Sequence, residues 1–248
     1  MKTENIVYVN NLRFSYPQKN DVLKDVSFKI KRGEHIGLIG PNGSGKTTLF
    51  LLLCGILKPQ AGNIMVNSKP IVHAKFNPQV SYLFQSPDDQ LFSASVFDDV
   101  AFGPLNMGLC AAEVKIRVEK AIFNVGLSHL AKRAPHHLSG GEKRMAAIAT
   151  LLAMMPEVIL FDEPTSNLDS LNRRNVINLI QKIESTLIIA SHDLEFLLET
   201  CSKVMLLNQG TIVRTGPIKK IMADQSLMHT HHLEKPHSLI PHKHRLLK

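Results

Sequence analysis

Val22, Val26, Phe28 and Ile30 stand on one side of an alternating apolar–polar pattern, which predicts a strand over 21–30. The run before it mixes β-branched and polar residues as an edge strand does, over 6–14. Lys31-Arg32-Gly33-Glu34 then turns the chain into a nearly continuous apolar stretch over 34–39, the pattern of a strand buried on both faces. A helix is expected over 47–57 and short strands over 63–66 and 80–84, the last ending at Gln85. Strands thus dominate the first third and predict a small N-terminal antiparallel β lobe. The spacing changes to helical in the middle third. A helix over 96–102 is expected to stop at Gly103-Pro104, and Val114, Val118, Ala121, Ile122 and Val125 line one face of a helix over 111–125. Ser139 reads as the cap of a further helix over 140–154, so an α-helical subdomain is expected as an insert at about 86–139. Strands over 158–161, 186–190 and 204–207 then alternate with helices over 170–184 and 194–200, and a hairpin strand follows at 211–214. Such alternation implies a parallel sheet covered on both faces. The expected fold class is α/β: a phosphate-binding core carrying a β lobe and a helical insert.

Composition adds limits. The mean hydropathy is near zero, no run reaches the ~20 apolar residues of a membrane span, and Met1-Lys2-Thr3-Glu4-Asn5 lacks a signal-peptide pattern. Cys54, Cys110 and Cys201 are isolated in sequence, which suits a reducing cytosol. The formal charge of +8 is compatible with nucleic acid, an anionic membrane face or a solvated end, since much of the excess lies near the C-terminus. Charge alone decides nothing.

Candidate chemistry is concentrated in three stretches. Gly40-Pro41-Asn42-Gly43-Ser44-Gly45-Lys46-Thr47-Thr48 fits the phosphate-binding pattern G-x-x-x-x-G-K-[ST], between a buried strand and a helix. Its glycines let backbone N–H groups approach a polyphosphate, the helix start adds donors, Lys46 can reach the outer phosphates, and Thr47 can ligate Mg²⁺. Val158-Ile159-Leu160-Phe161-Asp162-Glu163 delivers two carboxylates at a strand's C-terminal end, Asp162 to hold Mg²⁺ and Glu163 to act as general base on water. In Leu138-Ser139-Gly140-Gly141-Glu142-Lys143-Arg144, Ser139 caps a helix whose Gly140 and Gly141 leave the backbone open to another phosphate.

With that third stretch the chain resembles the ATP-binding subunits of ABC transporters over about residues 5–218, departing from the LSGGQ signature at Glu142. The resemblance implies that Tyr16 stacks on adenine, and that Gln85 touches Mg²⁺ or the lytic water. It also implies that Asp169 lies across a subunit interface, and that His192 hydrogen-bonds the γ-phosphate. It further implies a head-to-tail dimer, with ATP between Gly40–Thr48 of one copy and Ser139–Gly141 of the other. Phe84-Gln85-Ser86-Pro87-Asp88-Asp89-Gln90-Leu91-Phe92 and the 96–104 stretch look like the ATPases of energy-coupling-factor importers for cobalt, nickel and vitamins. The expected partners are therefore a second ATPase subunit (identical or paralogous), a transmembrane energy-coupling subunit and a substrate-binding membrane subunit, at the cytoplasmic face of the cell membrane. No nucleic acid partner is expected, although a soluble ABC ATPase acting on DNA or the ribosome is the reading from a different class. Beyond an ATPase domain over 1–218, residues 219–248 form a His-rich extension. It holds His229, His231, His232, His237, His242 and His244, half of the chain's 12 histidines. Imidazoles suit Co²⁺, Ni²⁺ and Zn²⁺, but the spacing matches no defined metal site, and a disordered polar tail is the alternative.

Overall fold

The protein is described by a computed structural model covering residues 4–240. The edge-strand pattern at the N-terminus becomes a long antiparallel hairpin, β1 (Asn5–Tyr16) and β2 (Lys19–Lys31), in which Tyr16 pairs with Lys19 at the tip. With β4 (Ala61–Val66) and β5 (Lys69–Pro70) it forms a four-stranded sheet in the order β2-β1-β4-β5. This is the expected β lobe.

The second sheet carries the core. Its strands are β3 (His35–Ile39), β6 (Val80–Leu83), β7 (Val158–Asp162), β8 (Thr186–Ala190), β9 (Lys203–Asn208) and β10 (Thr211–Pro217), in the order β10-β9-β3-β8-β7-β6. All its pairs are parallel except β10 on β9. Side chains alternate across a strand, so β7 and β8 divide between the two faces. Ile159, Phe161, Leu187 and Ile189 join the cluster under the helices, and Val158, Leu160, Ile188 and Ala190 join the cluster shared with the β lobe. Fully burying each large side chain stabilises by about 1.5–3 kcal/mol, which explains why these strands read as unbroken apolar runs.

Helices α2 (Val96–Asn106), α3 (Ala111–Asn124) and α4 (Gly140–Ala153) pack mutually as the helical part; α5 (Ser170–Ile180) and α6 (Leu194–Thr200) flank the sheet. Three local expectations are corrected. α1 (Lys46–Leu53) ends well short of 57, because Gly55 takes φ +75° and the amides of Gly55 and Ile56 turn back onto the carbonyls of Leu52 and Leu51. α2 runs through Gly103-Pro104 instead of stopping there. Pro104 is buried, and a Cβ on Gly103 would sit 2.6 Å from Met154 Cγ, so close packing on α4 outweighs the one lost helix bond. α5 stops at Ile180, four residues before the expected end at 184.

The described part of the His-rich extension is helical and docked. α7 (Ile218–Ala223) and α8 (Gln225–Thr230) bury Ile218, Ile221, Met222 and Met228 in the main cluster. His242 and His244 lie outside the described residues. Among the described residues no group of three His, Cys, Asp or Glu is placed to hold a metal ion, and no helix is long and apolar enough to cross a membrane.

Candidate active site

Four neighbouring parallel strands, β3, β8, β7 and β6, all release the chain at the same edge of the sheet. β3 leads into Gly40–Thr48, β8 into Ser191-His192, β7 into Glu163 and β6 into Gln85. Ligands of open α/β sheets bind at this carboxyl edge. A cavity of about 530 Å³ opens there, walled by Asn42, Gly43, Gly45, Lys46, Thr47 and Thr48. Gln85, Asp162, Glu163 and His192 form its other wall, and Tyr16 reaches it from the tip of the β1–β2 hairpin.

The phosphate loop is wound tightly against β9. A Cβ on Gly40 would lie 2.0 Å from the Leu207 carbonyl oxygen, so only glycine allows that approach. Gly45 is the cap of α1, and Lys46 at the helix start curls back to donate from Nζ to the carbonyls of Gly40 at 2.7 Å and Pro41 at 3.1 Å. Lys46 is buried; burial lowers its pKa, and the charges of Glu163 and Asp162 oppose that shift. An ammonium held this way stiffens the loop around the space a polyphosphate would take.

Thr47 Oγ1 donates to Asp162 Oδ2 at 2.8 Å, and Tyr82 Oη donates to the same oxygen at 3.0 Å. The hydroxyl and carboxylate are hard oxygen donors side by side at the cavity wall, which fits Mg²⁺. Burial first, and Asp162 second, push the Tyr82 phenol pKa up, so it remains a donor. Glu163 takes φ +50°, its amide bonded to Ala190 O at 2.9 Å, which turns its side chain off the strand line. The carboxylate accepts from Ser191 Oγ at 3.1 Å and from His192 N at 3.0 Å, and His192 Nε2 lies 3.5 Å from Oε1. A carboxylate aimed into a phosphate-shaped cavity and braced on two sides can take a proton from water.

The remaining expected residues stand apart from this cavity. Ser139 caps α4, with Gly140 and Gly141 opening the helix, and Gly141 borders a separate cavity beside α5. Asp169 caps α5, accepting from Asn172 N at 2.8 Å and Nδ2 at 2.9 Å, and these amides hold its pKa down. Ser139, Gly140 and Asp169 are thus exposed and off the wall of the cavity that holds Lys46, while Gly141 is buried against the Asn172 side chain. Tyr16 packs edge-to-face on Phe14 with ring centres 4.9 Å apart, and its hydroxyl is 3.4 Å from Thr48 Oγ1.

Sequence reasoning missed several groups. Lys19 lines the cavity beside Tyr16; the pairing of the two at a hairpin tip was the signal. Tyr82 is recognisable only through its bond to Asp162. Arg144 is buried and donates to Phe84 O at 3.0 Å and Gln85 O at 2.7 Å, tying the end of β6 to α4. A lone cation on an otherwise apolar helix face, with Ile148 and Leu151 one and two turns on, was its signal.

Comparison with known proteins supplies the family. The ABC transporter family matches residues 23–166. A protein of Synechocystis, provisionally named as an ABC transporter ATP-binding protein, is 52% identical, covering 94% of this chain and 82% of its own. The energy-coupling factor transporter ATP-binding protein EcfA of Methanocaldococcus jannaschii is 41% identical, over 93% of this chain and 86% of its own. The solved structure of cbiO1 from Clostridium perfringens, described as part of the ABC transporter complex cbiONQ, superposes with a TM-score of 0.80. It is 36% identical and covers 92% of this chain and 94% of its own.

Proposed function

The chain belongs to the ABC transporter family as an ATP-hydrolysing subunit of the energy-coupling-factor type, and on that premise we propose that it powers uptake of cobalt or nickel ions. It would do so as a peripheral subunit at the cytoplasmic face of the cell membrane. The cobalt or nickel cargo follows the likeness to cbiO1, and the observation that carries the coupling role is the joint between the segment after Gln85 and α4. Besides the two Arg144 bonds, Gln90 Nε2 donates to Ala147 O at 2.9 Å and Thr150 Oγ1 at 2.7 Å, and Lys143 meets Asp88 at 2.6 Å. A push on 86–92 therefore moves Gln85 and the helix capped by Ser139 together. Phe92 and Phe102 lie edge-to-face nearby, 67% and 52% exposed, an apolar surface suited to a transmembrane energy-coupling subunit.

In the proposed cycle Tyr16 stacks on the adenine ring and the Gly40–Thr48 amides cradle the phosphates. Lys46 transfers its hydrogen bonds from the loop carbonyls to the outer phosphates. Thr47 and Asp162, with Gln85 beside them, would hold Mg²⁺, whose charge offsets that of the phosphates when bound. His192 would orient the attacking water toward the γ-phosphorus, and Glu163 would take its proton. Since Ser139, Gly140 and Asp169 are exposed, the Ser139–Gly141 turn and Asp169 would complete the site of a second ATPase subunit, so ATP favours the closed pair and hydrolysis releases it. Cargo recognition is assigned to a separate membrane subunit.

The test is reconstitution of the chain with its membrane partners in vesicles, followed by uptake of labelled cobalt, nickel and vitamins. ATP-dependent accumulation of cobalt or nickel is expected; accumulation of a vitamin alone would replace the metal cargo. Asp88→Ala should cut that uptake about tenfold, while phosphate release by the isolated subunit stays within about twofold, because an exposed ion pair adds little to stability. Undiminished uptake by Asp88→Ala would remove this segment from the coupling surface.

A further inference from the structure

Ser139 and Glu142 hold one another more closely than a helix cap requires. Ser139 Oγ accepts from the Glu142 amide at 3.3 Å, and the Ser139 amide donates to Glu142 Oε2 at 2.7 Å, which completes the capping box of α4. A third bond is additional: Ser139 Oγ donates its single proton to the same Oε2 at 2.8 Å. The Ser139 amide, then its hydroxyl, hold the Glu142 pKa below the usual carboxylate range, with Arg133 and His129 as the basic side chains that face it. The neighbouring Lys143 is engaged with Asp88.

We propose that Glu142 is a positioning residue that raises the ATP concentration needed for two subunits to close. It keeps the Ser139 proton on its own carboxylate, and its charge opposes the third phosphate of the partner's nucleotide. The proposal rests on the reading that Ser139 meets a nucleotide across the subunit interface. A proton shared between two acceptors bonds each more weakly, so closure must loosen the hydroxyl's bond to Oε2. Closure also brings a phosphate toward a carboxylate whose donor has loosened, and like charges at a half-exposed site repel. Glutamine at 142 keeps an acceptor oxygen for both Ser139 donors, so the cap survives without the charge, and its amide can donate to a phosphate.

The experiment uses the full chain with Glu163→Gln, so that ATP persists, and follows dimer formation by analytical ultracentrifugation across an ATP titration. Adding Glu142→Gln should lower the half-saturating ATP concentration about tenfold, the scale of one like-charge contact. The difference should shrink as salt rises and screens the charge. A residue that merely capped the helix would change the melting temperature and leave the salt dependence of closure untouched. Glu142→Ala, which loses cap and charge together, should melt lower than Glu142→Gln. An equal or higher ATP requirement in Glu142→Gln overturns the role of Glu142 alone. Absence of any ATP-dependent dimer in the parent overturns the composite site and this proposal with it.

Discussion

Glu163→Gln should lower phosphate release by about a thousandfold, the contribution of a positioned general base, while ATP stays bound and the ATP-dependent dimer accumulates. The reason lies in how the side chain is held. Its φ of +50° and its amide bond to Ala190 fix the backbone, and Ser191 and His192 occupy the carboxylate from the sheet side. Glutamine matches this shape and can still accept from Ser191 and His192, so the cavity should keep its form. It cannot take a proton from water at neutral pH. A single-turnover measurement of phosphate release, paired with ATP binding, checks both halves. Release above about a tenth of the wild-type rate would remove Glu163 from the role of base.

Lys46→Ala should weaken ATP binding by at least about a hundredfold, the scale of losing charge-assisted hydrogen bonds at a buried site. Two carbonyls of the loop, those of Gly40 and Pro41, accept from its ammonium, and Asp162 and Glu163 are the charges that favour its protonated form. With the cation gone, those carboxylates would face the phosphates without an opposing charge, and the loop would lose its internal tie. Calorimetric titration with ATP measures the loss, and the melting temperature without nucleotide shows how much of it is loop stability. Affinity unchanged by the substitution would reject the loop as the nucleotide site.

Much of the fold was legible because it is written in short-range patterns. The strand before Gly40 and the strand before Asp162 read as apolar runs since both their faces are covered, and the alternation over 21–30 marks a sheet with one covered face. The chemistry at Gly40–Thr48 is local: nine consecutive residues contain the turn, the helix start, the cation and the hydroxyl. Where the sequence misled, a distant contact was decisive. Gly103-Pro104 stands inside α2 because Met154 at the end of α4 fills the space a side chain would need. The C-terminal segment reads as a polar, His-rich stretch, yet burial of Ile218, Ile221, Met222 and Met228 docks it on the core.

The sequence by itself determined most strands and helices of the core, the phosphate loop and the residue types at the ends of four strands, since each depends on neighbours within one turn or one strand. Only the tertiary structure decided which of those ends share an edge. That edge brings Tyr82 to Asp162, and Ser191 and His192 to Glu163, while packing of α4 against the end of β6 brings Arg144 to Gln85. It also left Ser139 and Asp169 off the wall of the cavity around Lys46. Strand order and helix packing join residues tens of positions apart, and no local periodicity records that choice.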